Sequence, residues 1–133
     1  MWMCLFFLLC GNCLMTDKVK TLEIEISEID LYIINRVREL RVAKELSQVK
    51  LSILMGLAEG AVGKIENPTE RAKYNIRHLN LLAKALKCSP RDLLPDKPLK
   101  NDLVKVRLQI KKNSKPSKGE ANFEIIKIEP IND

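Results

Sequence analysis

Residues 46–67, LSQVKLSILMGLAEGAVGKIEN, constrain this chain more than any other stretch, because they spell two short amphipathic helices meeting at a corner. Ser47 suits an N-cap, its hydroxyl placed to accept from an orphan backbone N–H one turn on. Leu51 and Leu54 follow at i and i+3, the inward face of a helix of about two turns. Gly56 falls where that helix has to stop, and glycine adopts the left-handed conformation that ends helices. Leu57 seals the corner. Val62 and Ile65 repeat the inward spacing on a second helix over about residues 58–66. Its outward positions, Glu59, Gly60, Gly63 and Lys64, carry nothing bulky and apolar. A short helix with one buried face and a small, polar outer face fits a DNA major groove.

The flanking segments read as support for this pair. Residues 21–26, TLEIEI, alternate apolar and acidic, the period of a half-buried strand. Ser27 then offers a cap with Asp30 three residues on, and a helix is expected to about Ala43. Ile33, Val37 and Leu40 face inward on it, and Arg36, Arg38, Arg41 and Lys44 outward. After the central pair, the polar run PTERAKY at 68–74 connects onward, with Arg71 and Lys73 in reach of backbone phosphates. Asn75 caps a helix over Ile76–Leu86, its core face formed by Ile76, Leu79, Leu82, Ala83 and Leu86. Ser89-Pro90-Arg91-Asp92 opens a last short helix, with Pro at the first helical position. Leu93 and Leu94 close the core. Beyond Lys100 the period becomes two: Val104, Val106, Leu108 and Ile110 alternate with polar residues, and 123–128 is the returning strand. Ile125-Ile126 breaks the alternation and marks a bulge. A lone hairpin is marginally stable, so this one is expected to pair with residues 21–26, the helical domain or a second subunit.

Charge points to polyanionic partners. The 133-residue chain carries +6 overall, and residues 29–95 hold twelve basic against seven acidic groups. One histidine (His78), no patterned nucleophile or carboxylate pair and no Gly-rich phosphate loop argue against an enzyme, so no catalytic residue is expected. Cys10-Gly-Asn-Cys13 matches C-x-x-C, but no second pair stands at zinc-ribbon spacing, and neither metal nor cofactor is expected. Cys88, between helices, reads as core packing. The opening MWMCLFFLLCGNCLM lacks the basic region of a signal peptide and is shorter than the roughly twenty residues that span a bilayer. It reads as an extension from an upstream start, with Met15 as the initiator; a membrane-dipping segment is the alternative. No stable membrane association follows on the first reading, and the cytoplasm is the expected compartment.

Arg38-Glu-Leu-Arg41, Leu46-Ser-Gln48, Leu51, Gly56-Leu57, Val62, Ile65-Glu66-Asn67, Leu82-Ala83-Lys84-Ala85-Leu86 and Leu93-Leu94 together resemble the phage Cro/repressor-type (XRE-like) helix-turn-helix family. The resemblance covers roughly residues 29–95. It implies a five-helix, lambda-repressor-like domain, hence a mainly α fold with a small C-terminal β-hairpin and an N-terminal strand. Residues 67–75 and the hairpin also resemble small regulators of Bacteroidetes-like bacteria. By the resemblance, Gln48 would grip a phosphate and brace the recognition helix, and Glu59, Gly60 and Lys64 would meet base edges. Asn67, Arg71, Lys73 and Arg36 would contact the DNA backbone. A homodimer on two-fold sites of double-stranded DNA is implied, acting as a repressor or as an antitoxin with a toxin partner. Several positions depart from the family: Glu59 puts a negative charge, and Gly60 and Gly63 put no side chain, on the reading face. Ala58 stands where a Ser or Thr cap is usual, a loss of about 1 kcal/mol, and Glu45 replaces the usual helix-ending Gly.

The expected organisation is an extension at 1–20, a helix-turn-helix domain with its leading strand at 21–95, and a linker and hairpin at 96–133. Exposed Val49 and Ile53, beside the small Gly60 and Gly63, motivate the alternative function: a protein-interaction module with little DNA readout.

Overall fold

The computed structural model describes residues 20–110 and 123–131. The expectations for the N-terminal extension, Met15 and the Cys10–Cys13 pair fall outside these residues.

Strand β1 (Lys20–Ser27) passes without a loop into helix α1 (Glu28–Ala43). Helices α2 (Gln48–Leu54), α3 (Ala61–Glu66) and α4 (Ile76–Leu86) follow, then a 3₁₀ turn at Pro90–Leu93 and strands β2 (Leu103–Ile110) and β3 (Phe123–Pro130). The strands form one antiparallel sheet in the order β1-β2-β3. The hairpin therefore pairs with the leading strand, the first of the three partners open to it. Leu22 faces Leu108, Ile24 faces Val106 and Ile26 faces Val104, so the apolar residues of both strands share one face.

That face is the floor of the core. Val104, Val106 and Leu108 are buried with Leu31, Ile34 and Val37 of α1, and the same cluster continues through Leu51, Val62, Leu82, Leu86 and Leu93. The register of β2 with β3 shifts by one residue between Arg107 and Leu108, the bulge expected at Ile125-Ile126. Because strand side chains alternate, the extra residue returns Ile125 and Phe123 to the inner face and leaves Ile126 outside.

The junction of β1 and α1 is held by residues distant in the chain. Ser27 occupies the N-cap position, yet its side chain makes no capping bond. Instead Glu28 N–H donates to the carbonyl of Asp102 at 2.9 Å. The Glu28 carboxylate accepts from Asn101 N–H at 2.7 Å.

Five sequence expectations need correction. The five-helix count becomes four α-helices and a 3₁₀ turn, because the Ser89–Asp92 capping box closes a single turn and Leu94 is already extended. Leu54, expected on the inward face of the helix that follows Ser47, is 47% exposed. Ile76 is 87% exposed, not inward: at the first helical residue it projects past the core edge that Leu79 begins. Leu94 points outward while Leu93 is fully buried. Arg41 is 1% exposed rather than outward, and its burial organises the site.

Candidate nucleic-acid interface

Helix α2 begins as its sequence dictates, with Ser47 Oγ accepting from Lys50 N–H at 3.1 Å. It ends at Gly56, whose φ of +71° is the left-handed conformation that a side chain disfavours. Glu45 adopts φ 55° just before, so the helix-ending conformation of the family's Gly is kept with a side chain present. The corner is fixed from inside by Ser52, which is fully buried. Its hydroxyl donates to the Gln48 carbonyl at 2.9 Å and accepts from Val62 N–H at 3.0 Å. One hydroxyl thus joins α2 to the first turn of α3 and satisfies a donor that helix geometry leaves unpaired.

The expected helix over 58–66 is shorter, Ala61–Glu66. Ala58–Gly60 form a turn closed by Ala61 N–H to the Ala58 carbonyl at 2.9 Å, so Gly60 is the N-cap residue and Ala58 does not stand at the cap.

The far end of α3 is anchored by its last residue. Glu66 is 1% exposed, and its carboxylate accepts from Arg41 Nε at 2.8 Å and Nη2 at 2.9 Å. Gln48 Nε2 donates to the same carboxylate at 2.7 Å, and Arg41 Nη1 also holds the Leu46 carbonyl at 2.8 Å. Two forked N–H···O bonds between guanidinium and carboxylate fix orientation as well as distance. One buried carboxylate therefore binds α1, α2 and α3 together.

This arrangement sorts the expected site residues. Gln48 lies over Gly63: a Cβ there would sit 3.3 Å from Gln48 Oε1, so the small residue admits the amide against α3. Glu59, Gly60 and Lys64 are exposed along the α3 turn and helix. Asn67 follows at the C-cap, and its side-chain oxygen accepts from Thr69 N–H at 3.1 Å and Thr69 Oγ1 at 2.8 Å. Arg71 is exposed in the next loop, where Lys73 Nζ donates to the Glu70 carbonyl at 2.6 Å. Arg36 is not brought into this group. Its Nε donates to the Asp92 carbonyl at 2.9 Å, clamping the 3₁₀ turn.

Arg41, Glu66 and Ser52 are what the sequence reading missed. A signal was present for two of them: Arg41 is four residues after inward Val37, and Glu66 four after inward Val62. Opposite charges on two inward helical faces are a buried pair in waiting.

Tyr74 is also buried, and desolvation, reinforced by the Glu66 carboxylate, raises its hydroxyl pKa. His78 completes the Asn75 capping box of α4: its backbone N–H donates to Asn75 Oδ1 at 2.9 Å and its Nδ1 accepts from Asn75 N–H at 3.4 Å. Cys88 is half-buried against the core, as expected, and burial raises its thiol pKa. Among the described residues no group of three or more His, Cys, Asp or Glu is placed to hold a metal ion. No described helix is long and apolar enough to cross a membrane.

The Cro/C1-type HTH DNA-binding domain matches residues 36–98. Solved structures similar to the chain include the restriction-modification controller protein C.AhdI from Aeromonas hydrophila, 38% identical over 47% of this chain and 92% of that one, with a TM-score of 0.42. Another is the P22 c2 repressor protein in complex with synthetic operator 9T, 29% identical over 49% of this chain and 96% of that one, with a TM-score of 0.41. No curated protein matches the chain.

Proposed function

The chain belongs, through residues 36–98, to the Cro/C1-type helix-turn-helix family of DNA-binding regulators, and on that premise we propose that it is a sequence-specific, non-enzymatic transcriptional regulator in the bacterial cytoplasm. It sets α3 in the major groove of double-stranded DNA. The observation that carries this reading is the Glu66 hub: α3 is locked across α2 by buried bonds while its far side stays open. Lys64 donates to guanine O6/N7, Glu59 accepts from cytosine N4, and Gly60 lets the backbone come close. Gln48, Asn67, Arg71 and Lys73 contact phosphates and set register rather than sequence. Arg36, held by its Nε on the Asp92 carbonyl, has its remaining N–H groups to offer a phosphate. A homodimer places two such helices on a two-fold operator, as repressor or as the antitoxin of a toxin pair.

The test is fluorescence anisotropy across a salt series, on the DNA upstream of its own gene and on duplexes selected from a random pool. The expected result is binding about 10³-fold tighter than to scrambled duplex, with a steep salt slope. Lys64→Ala weakens binding mainly at one base position. Lys73→Ala weakens every sequence alike and flattens the slope by about one unit. Equal, sequence-blind losses for both remove Lys64 from the readout set.

One observation favours a second reading. Val49, Ile53 and Leu54 of α2 are about half exposed, an apolar stripe suited to a protein partner. Absence of DNA binding even at low salt moves the function there.

A further inference from the structure

The sheet has no counterpart in the helix-turn-helix argument so far, yet it reaches the reading helix. Arg38, on α1, donates through Nη2 to the backbone carbonyl of Glu66 at 2.9 Å. That carbonyl belongs to the last residue of α3, where helix geometry leaves an acceptor without an internal partner. The guanidinium of the same Arg38 lies over the Phe123 ring of β3, 5.7 Å from its centroid. Phe123 and Ile125 close against Arg38, Glu66 and Pro68, leaving a gap of only about 10 Å³. The bulge at Ile125-Ile126 is what turns Phe123 to this side of the sheet.

We infer that Arg38 is a positioning residue through which β3 sets the C-terminal end of α3. The inference rests on the DNA reading proposed above for the use of α3, but not for the coupling itself. A half-buried guanidinium spread between a carbonyl and an aromatic face loses rotamer freedom, so its planar fork presents the N–H to Glu66 in one direction. Pulling Phe123 away frees the fork, and the last turn of α3 frays first because it is short and depends on end contacts.

The experiment uses the full chain and two readouts. Native-state hydrogen exchange follows the amides of Lys64 and Asn67, which bond to the Gly60 and Gly63 carbonyls. Their reference is the Leu51 amide of α2, bonded to the Ser47 carbonyl. Phe123→Leu keeps an apolar side chain and removes the ring face; it is expected to raise exchange at Lys64 and Asn67 about two- to five-fold, with Leu51 unchanged. Phe123→Tyr restores the wild-type rates. Arg38→Met, which also removes the donor to Glu66, raises them about tenfold or more. In parallel, anisotropy measures the affinity ratio between the duplex selected by the wild-type chain and a scrambled duplex, and Phe123→Leu lowers that ratio.

Exchange that rises equally at Leu51, Lys64 and Asn67 shows a general loss of stability and overturns the inference. So does a Phe123→Leu variant with unchanged exchange at Lys64 and Asn67, even where the wild type binds its duplex specifically. Selective exchange together with a wild-type chain that selects no duplex supports the coupling and overturns only the DNA reading.

Discussion

Replacing Arg41 with Met removes at least three hydrogen bonds and takes from the buried Glu66 carboxylate its two-pronged partner. The side chain is 1% exposed, as is its partner Glu66, so neither group can turn to water. Gln48 Nε2 remains on the carboxylate, and Arg38 Nε stands 3.7 Å away, too far for a hydrogen bond but at ion-pair distance, so the charge left behind is only partly compensated. Breaking one side of a buried ion pair destabilises by about 3–5 kcal/mol, mostly through the charge left behind. A domain of this size has roughly 5–15 kcal/mol in total, so about a fifth or more of the stability is at stake. With a urea slope of about 2 kcal/mol/M, the unfolding midpoint followed by circular dichroism should fall by about 2 M. The double variant Arg41→Met/Glu66→Leu removes the stranded charge and is expected to regain most of the loss, since apolar replacements of a buried pair are often neutral. Gln48, half-buried, then turns its amide to solvent. If the double variant is as unstable as the single one, the loss comes from packing and the argument from the orphaned carboxylate is wrong.

Other outcomes follow from the same structure. Ser52→Ala leaves Val62 N–H buried without an acceptor and is expected to destabilise by about 1–3 kcal/mol; a urea midpoint within error of wild type refutes the role of that hydroxyl at the corner. His78 titrates below its usual range because burial, and then the neighbouring Arg77, disfavour the charged ring. The unfolded chain therefore takes up its proton first. Stability is full above about pH 6.5 and declines as pH falls through the folded-state value. The loss is small because the ring is only partly buried. His78→Gln keeps a capping-box acceptor at N3 and should flatten the change in urea midpoint between pH 7.5 and pH 5, on a scale set by about one titrating group.

The sequence announced the elements better than their polar fastenings. Apolar periodicity is a strong local signal, so β1, the four helices and even the bulge at Ile125-Ile126 were legible, along with the caps at Ser47 and Asn75. The partner of the hairpin was not, because strand pairing depends on contacts between residues far apart in the chain. Arg41 was misplaced for a physical reason: charge argues for solvent unless an opposite charge shares the interior, and Glu66 lies on another helix. Ser52 looked like an ordinary polar helix residue, since its value depends on an N–H ten residues away. The exposed residues of α3 were legible as a face. The bonds that aim that face come from α1 and α2.

The pairing of β1 with β2 sets an order of events during synthesis. Glu28 and Asn101, which meet beside the junction of these strands, are 73 positions apart. At roughly 5–20 residues per second, β1 leaves the ribosome about 4–15 s before its partner exists. For that interval Leu22, Ile24 and Ile26 form an apolar strand with no neighbour, the kind of edge that recruits other chains. Glu23 and Glu25 alternate with them, and acidic side chains on such a segment discourage association between nascent copies. Once β2 arrives, Glu23 faces Arg107 across the sheet and accepts its guanidinium at 2.7 Å. The same carboxylate first guards the unfinished chain and then helps mark the correct register.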